Sequence, residues 1–274
     1  MATLACFGTL LGVNGCVPRE ERNPDQSFAL YQVALSSFEA GRLEAARGEA
    51  DKALKADANN AEAHQLLGLI ALREGAQYVA QVETMDCLTG QDATMVRVDA
   101  NKRYRVAANH FRKAVEIQPE FATAWNNLAV ASLNSQEWDS AIDAASNAIA
   151  IGNYAEPHVA HGNRGWGYYK KGDLQNAWRE LHDSVSRQPG FCVGRYRLAK
   201  VLMERDKFDD AALQIDAVLA DKRCPIQEAH LAGGLLADRL GVKDRAVELF
   251  AECIRMAPRS CVAAECERLN RMIH

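Results

Sequence analysis

The chain has 274 residues, of which 48% are hydrophobic and 25% are charged. This balance is typical of a folded protein with a sizeable core and excludes a disordered chain. The 18 Gly and 7 Pro are too few for a strand-and-turn protein. The net charge of −4 argues against a protein held on nucleic acid by phosphate contacts. No apolar run approaches the roughly 20 residues of a membrane-spanning helix.

The N-terminus differs in composition from the rest of the chain. Its first fifteen residues carry no charge and end in Val-Asn-Gly, directly before Cys16. A short apolar stretch that ends in small residues is typical of a secretion signal, and this tetrad resembles a bacterial lipobox. We therefore predict a lipoprotein signal peptide over 1–15, a lipid anchor on Cys16 and a tether over 16–26. The alternative is an N-terminal tail that happens to contain this cysteine.

Small residues recur along the chain in two series, each inside an apolar helical pattern. The first series is Ala34, Gly68, Ala129, Gly165, Ala199 and Gly234, and the second is Ala46, Ala107, Ala141, Ala177, Ala211 and Ala246. Five of the six pairs lie 12 residues apart, and the later steps are 34 to 36 residues. A period of about 34 residues with small residues where two helices touch is the signature of tetratricopeptide (TPR) repeats.

The expected fold class is therefore all-α, a TPR superhelix (α-solenoid). Its six helix-turn-helix repeats are predicted at about 27–60, 61–121, 122–157, 158–191, 192–226 and 227–260, followed by a C-terminal cap helix over 261–274. The second repeat is longer than the others, because Gly68 and Ala107 lie 39 residues apart. We expect the insertion, 74–103, to lengthen both helices into a projecting hairpin. A disordered loop is the alternative.

Stacked TPR hairpins line their inner wall mainly with the first helix of each repeat. Several positions expected to face inward are apolar or aromatic, which usually marks a protein or peptide partner. The predicted partner-binding residues are Phe28, Tyr31, Leu35, Phe38, Leu69, Leu72, Asn126, Val130, Leu133, Trp166 and Tyr169, with Tyr196 and Met203 in the fifth repeat. Lys200 and Asn126 are too scattered along the sequence for a clamp on an acidic peptide C-terminus, so an apolar or extended segment is expected. Alternatively, the cap, the tether or the insertion covers part of this wall.

Six cysteines follow Cys16: Cys87 in the insertion and, nearer the C-terminus, Cys192, Cys224, Cys253, Cys261 and Cys266. In an exported protein such clustering predicts disulfides. Matching positions along the helices favour Cys192–Cys224 and Cys253–Cys266, with Cys224–Cys261 as the rival. Cys87 is expected to be too distant to reach this cluster in an open solenoid.

We predict no catalytic and no metal site. Cys-x-x-Cys pairs are absent, and His158 and His161 are expected to be surface histidines. The glycine-rich segment 162–167 has no preceding strand, so its glycines are interpreted as packing contacts. No zincin, nucleophile-elbow or Walker motif occurs. The prediction is a binding protein without cofactor, nucleic acid or small-molecule substrate. A thiol oxidoreductase that uses the distal cysteines is the competing enzyme hypothesis.

The lipobox, the six repeats, the long second repeat and the Cys-rich end together resemble the PilF/PilW family of type IV pilus pilotins. The segments that carry the resemblance are LLGLIALREGAQYVAQVE, WNNLAVASL, RELHDSVSRQPGFCVGRYRLAKV and RCPIQEA. The resemblance implies a lipoprotein anchored through Cys16 on the periplasmic face of the outer membrane. It also implies that the chain binds protomers of the secretin PilQ and promotes their assembly into a pore. The alternative is a general periplasmic TPR scaffold for other envelope proteins.

Overall fold

The computed structural model describes residues 22–273, and within that range the chain is helical without any strand. The thirteen α-helices of these residues are α1 (Pro24–Glu39), α2 (Leu43–Ala56), α3 (Ala61–Ala80), α4 (Gly90–Ile117), α5 (Ala122–Asn134), α6 (Trp138–Ala150), α7 (Pro157–Lys170), α8 (Leu174–Arg187), α9 (Cys192–Glu204), α10 (Phe208–Ala220), α11 (Gln227–Arg239), α12 (Lys243–Met256) and α13 (Cys261–Ile273). None of the helices described is both long enough and apolar enough to cross a bilayer. The predicted signal peptide, Cys16 and the tether up to residue 21 lie outside the described residues.

The chain divides into two compact units, and the first ends at Leu67, inside α3. In this first unit α1 and α2 pack as a close pair, because Ala34 and Ala46, which are fully buried, have small side chains. Asn23 caps α1 by accepting a hydrogen bond from the backbone N–H of Gln26 at 3.0 Å. Since α1 begins at Pro24, the last three residues of the predicted tether form its first turn.

The second unit begins at Gly68 and continues the helical pairs. Within it, α5 packs on α6, α7 on α8, α9 on α10 and α11 on α12, while α13 covers α12. The first helices of the pairs also contact one another in series, and we call α5, α7, α9 and α11 the A-helix row. Close approach explains the small residues: a Cβ added to Gly234 would lie 2.4 Å from the Phe250 ring. The predicted TPR fold class is confirmed.

The second repeat contains the two lengthened helices that the fold prediction includes. Helix α3 has 20 residues and α4 has 28, and a π-helical turn at Gln81–Met85 follows α3. The lengthened helices approach closely at Gly75, where an added Cβ would lie 2.5 Å from the Tyr104 ring. Gly90, with φ of +87°, occupies a left-handed conformation that suits glycine at the start of α4.

The tip of the insertion corrects the expectation for Cys87. This cysteine forms a disulfide with Cys261, 174 residues away, at the start of α13. The backbone N–H of Cys87 also donates to the carbonyl oxygen of Arg259 at 2.8 Å. The expectation that Cys87 is out of reach was wrong, because the lengthened helices carry it to the C-terminal end of the second unit.

The other four cysteines in the described part of the chain pair within the last repeats and the cap. Cys192 is bonded to Cys224, and Cys253 is bonded to Cys266. These are the two pairings that the sequence favoured. The rival pairing of Cys224 with Cys261 is excluded, since each cysteine has another partner.

Candidate protein-binding surface

Helix α1 presents aromatic and apolar side chains to solvent. Phe28 is 58% exposed, and its ring centroid lies 6.2 Å from that of Tyr31. Partial burial raises the pKa of Tyr31, and the nearby carboxylates of Glu62 and Glu39 raise it further. The other two predicted residues of this helix, Leu35 and Phe38, are half-buried. The α1 surface, defined as Phe28, Tyr31, Leu35 and Phe38, therefore combines an exposed ring with a partly covered apolar base.

The predicted residues at the start of the second unit are more covered. Leu69 and Leu72 are half-buried and pack against a core that includes Phe111 and Leu128. Val130 is also half-buried. Asn126 and Leu133 are buried, with 7% and 9% of their surface exposed. These two side chains contribute to the interior of the second unit more than to its surface.

An aromatic pair lies at the C-terminal half of α7. The rings of Trp166 and Tyr169 stack with centroids 4.6 Å apart, and the Lys170 ammonium lies 5.1 Å from the Trp166 centroid. The Tyr169 hydroxyl donates to a Glu204 carboxylate oxygen at 2.9 Å. Burial, together with this carboxylate, raises the pKa of Tyr169 to about 12. Both predicted aromatic residues are therefore held in fixed orientations.

A line of hydrogen bonds connects three members of the A-helix row. Asn163 Nδ2 on α7 donates to Asn126 Oδ1 on α5 at 3.0 Å. Arg197 Nη1 on α9 donates to Asn163 Oδ1 at 3.0 Å and to the Gly162 carbonyl oxygen at 3.1 Å. We call Asn126, Asn163 and Arg197 the polar line. The Arg197 guanidinium carbon also lies 5.3 Å from the Trp166 ring centroid.

Two residues of the polar line, Asn163 and Arg197, were not predicted as binding residues from the sequence. Asn163 and Arg197 each precede the small residue of their helix, Gly165 or Ala199, by two positions. That shared position is the signal that could have found them. Polar groups on this row are less scattered than the sequence suggested, because contacts between repeats bring them together.

A cavity of about 410 Å³ opens between α9, α10 and α11. Its apolar lining includes Met203, predicted on the inner wall, together with Phe208 and Leu235. The Arg239 guanidinium lies 4.8 Å from the Phe208 ring centroid. Nearby, Tyr196 is largely covered; burial raises its pKa to about 12, with a further contribution from the Glu228 carboxylate. The cavity can take an apolar side chain of a partner.

His161 is buried, which corrects the expectation of a surface histidine. Its Nδ1 lies 2.9 Å from Glu180 Oε2, and Arg164 donates to the same oxygen at 2.6 Å. Burial raises the pKa of Glu180, but these hydrogen bonds outweigh it and hold the pKa below its usual value. His158 instead packs edge-on against the Phe191 ring, with centroids 5.1 Å apart. Among residues 22–273, no three His, Cys, Asp or Glu side chains are grouped so that they could hold a metal ion.

Comparison with the sequences of known proteins finds the same type of repeat. Residues 96–156 and 196–260 match the tetratricopeptide repeat family. The chain is 27% identical over 232 residues to the type IV pilus assembly protein PilF of Pseudomonas aeruginosa, a match that covers 76% of this chain and 90% of that protein. It is also 25% identical over 167 residues to the STIP1 homolog of Dictyostelium discoideum, but spans only 28% of that longer protein.

Solved structures show the same fold. The structure of Pseudomonas aeruginosa PilF superposes with a TM-score of 0.67 at 18% identity, covering 89% of this chain and 98% of PilF. PilW, described as a widely conserved type IV pilus biogenesis factor, gives a TM-score of 0.64 at 22% identity, covering 87% of this chain and 97% of PilW. The chain therefore has the TPR fold of these two structures, and its sequence is similar to that of the pilus assembly protein PilF.

Proposed function

We propose that this protein is a pilotin of a type IV pilus machine. It binds protomers of the secretin PilQ and promotes their assembly into the outer-membrane pore, and it performs no chemistry itself. Within the pilotin family the chain resembles Tgl, the lipoprotein of social gliding. The observation that carries the proposal is the similarity to the pilus assembly protein PilF, which extends over nearly the whole of that protein.

The α1 surface suits the binding step. An unassembled pore subunit exposes apolar edges that the finished multimer covers, and such edges aggregate when they are left free. Phe28 offers an exposed aromatic ring, supported by Tyr31, to one of these edges. Aromatic side chains are favoured at binding surfaces because they cover a large apolar area with few rotatable bonds. Binding there protects the protomer until it meets its neighbours.

The proposal includes a lipid anchor on Cys16 and a location on the periplasmic face of the outer membrane. The uncharged leader and the small residues before Cys16 support the anchor. The three disulfides support an oxidising compartment, because disulfides are rare in the reducing cytosol. An anchor would restrict the bound protomer to the membrane in which the pore assembles.

The test replaces Phe28, Tyr31 and Leu35 with Ser, Ser and Gln in the full-length protein. Loss of the apolar contact should reduce heat-resistant PilQ multimers at least tenfold, as deletion of the gene should. The measurement is an immunoblot of membranes heated in detergent. Circular dichroism of the purified variant checks that its helices are retained.

Val33→Ser is the matched control, because Val33 is also an exposed apolar residue of α1, 53% exposed, but points away from the α1 surface. Multimers should form normally with this variant. Multimers that survive deletion of the gene would refute the pilotin function. Multimers lost on deletion but retained in the triple variant would refute the α1 surface as the binding site. A Cys16→Ser variant that still fractionates with the outer membrane would refute the anchor.

A further inference from the structure

Arg197 carries a positive charge that the described part of the chain does not neutralise. No Asp or Glu of residues 22–273 forms an ion pair with its guanidinium, whereas Arg164 on the neighbouring α7 meets Glu180. Burial lowers the pKa of Arg197 to about 10, with a smaller opposite effect of Tyr196. A partly buried cation without a counter-charge costs free energy, and an anion that approaches it recovers that cost.

The guanidinium is oriented for an incoming ligand. Among residues 22–273, only Nη1 has hydrogen-bond partners, the Asn163 side chain and the Gly162 carbonyl oxygen. The donors on Nε and Nη2 have no hydrogen-bond partner among the described residues and are not sealed from solvent. The Nε and Nη2 edge of an arginine binds a carboxylate by donating two parallel hydrogen bonds to its oxygens.

The polar line fixes this edge in place. Asn163 is 3% exposed and is itself held by Asn126, so the contact that positions Arg197 spans three helices of the A-helix row. The Trp166 ring limits movement on one side of the guanidinium. A side chain already held in its binding conformation loses little entropy when the ligand arrives, which favours affinity.

We propose that Arg197 binds a carboxylate side chain, Asp or Glu, in the segment of the PilQ protomer that this protein recognises. The inference rests on the proposed function and adds a charge requirement to it. The residues beside the acidic one contact Trp166 and the cavity lined by Met203 and Leu235. Lys200, one helical turn after Arg197, adds positive charge, while Glu204 already accepts from the Tyr169 hydroxyl. The recognised segment is thus expected to be apolar with one acidic residue.

The test measures binding of purified PilQ protomer to the wild-type protein and to Arg197→Gln. Hydrogen bonds to charged groups are the strong ones, so the affinity should fall roughly 10- to 100-fold. Arg195→Gln is the matched control, since Arg195 lies on the same helix but donates to the Pro189 carbonyl oxygen and Gln214. This control should bind normally. Arg197→Lys keeps the charge but loses the fork, and should be intermediate.

A second experiment asks whether an acidic residue of PilQ is needed for binding. It measures binding of the wild-type protein to overlapping PilQ peptides, each compared with a copy that has Asn or Gln in place of its acidic residues. This arm does not depend on the folding of any variant. Replacing one acidic residue of the peptide should weaken its binding to the wild-type protein. The same replacement should not change binding to Arg197→Gln, because the peptide change and the protein change remove the same contact.

Equal affinity of the wild type and Arg197→Gln for the protomer would overturn the carboxylate site and leave the pilotin function standing. Equal losses in Arg197→Gln and Arg195→Gln would also overturn the site, since they would indicate general attraction by charge. Protomer that does not bind the wild type would overturn both proposals. Should Arg197→Gln fail to fold, peptides that bind wild-type protein equally with and without their acidic residues would overturn the site alone.

Discussion

The regular repeats between α5 and α10 and the insertion of the second repeat are built from similar helices but connected differently. In the regular repeats each helix packs on helices near it in sequence. The insertion instead bonds Cys87 to Cys261 across 174 residues, and its π-helical turn contacts α13. When each repeat packs only on its neighbours, the stability of the stack is approximately the sum of the stabilities of the repeats and of the interfaces between them. A contact between the second repeat and the cap makes the second unit depend on both of its ends.

The largest effect is expected inside a repeat, from Phe111→Ala. Phe111 is fully buried, and its ring fills the space that Gly68 leaves. Removing the ring should leave a cavity and lower the free energy of unfolding by about 3–5 kcal/mol. Chemical denaturation of the oxidised protein measures the loss.

The control for this variant is Leu213→Ala on α10, where the side chain is 66% exposed. It should change the free energy of unfolding by no more than about 0.5 kcal/mol. A loss below about 1 kcal/mol for Phe111→Ala would contradict the interpretation of Gly68 as a packing site for that ring.

The second prediction concerns the disulfide at the insertion. Replacing Cys87 and Cys261 with Ser should lower the free energy of unfolding by about 2–4 kcal/mol, since a cross-link restricts the unfolded chain. Of the other contacts at the tip, the ion pair between Asp86 and Arg259 is exposed and worth at most about 1 kcal/mol, and the backbone hydrogen bond from Cys87 to Arg259 contributes about as much. The tip around Leu88 should therefore become sensitive to proteases. Limited proteolysis with mass spectrometry locates the cleavage.

The Cys192→Ser/Cys224→Ser variant is the control, because this disulfide spans only 32 residues within one repeat. It should leave the tip protected. Protection of the tip in the Cys87→Ser/Cys261→Ser variant would mean that packing alone holds the insertion against α13.

The periodic part of the fold could be predicted from the sequence because its physical cause is local. Each repeat needs a small residue where its helices meet, and Ala129, Ala141 and Ala199 are all fully buried at such points. The pairing of Cys87 could not be predicted in this way. Its partner depends on the length and direction of the whole insertion, which no local pattern specifies.

The residues of the candidate site also differ in whether local sequence or contacts between helices determine their surroundings. The exposed aromatic character of Phe28 follows from its position in one helix and could be expected from the sequence. The polar line could not, since Asn163 acquires its role from partners on two other helices. His161 was misjudged for a similar reason: its burial is compensated by Glu180 on α8, a residue 19 positions away. Contacts between helices decided the last two cases.

The smallest expected effects compare two glycines and test whether packing or propensity selects the small residues. Gly234→Ala would place a Cβ against the buried Phe250 ring, so the ring or the two helices must move. Overpacking of this kind should lower the free energy of unfolding by about 1–3 kcal/mol. Gly48 lies inside α2, and apart from the adjacent backbone of its own helix nothing lies within 4 Å of an added Cβ. Gly48→Ala should therefore stabilise the protein by about 0.5–1 kcal/mol, because alanine loses less backbone entropy in a helix. Thermal denaturation of both variants measures the two signs. Stabilisation by both substitutions would mean that the repeat tolerates a wider spacing of its helices, and the close approach at Gly234 would then not explain the glycine.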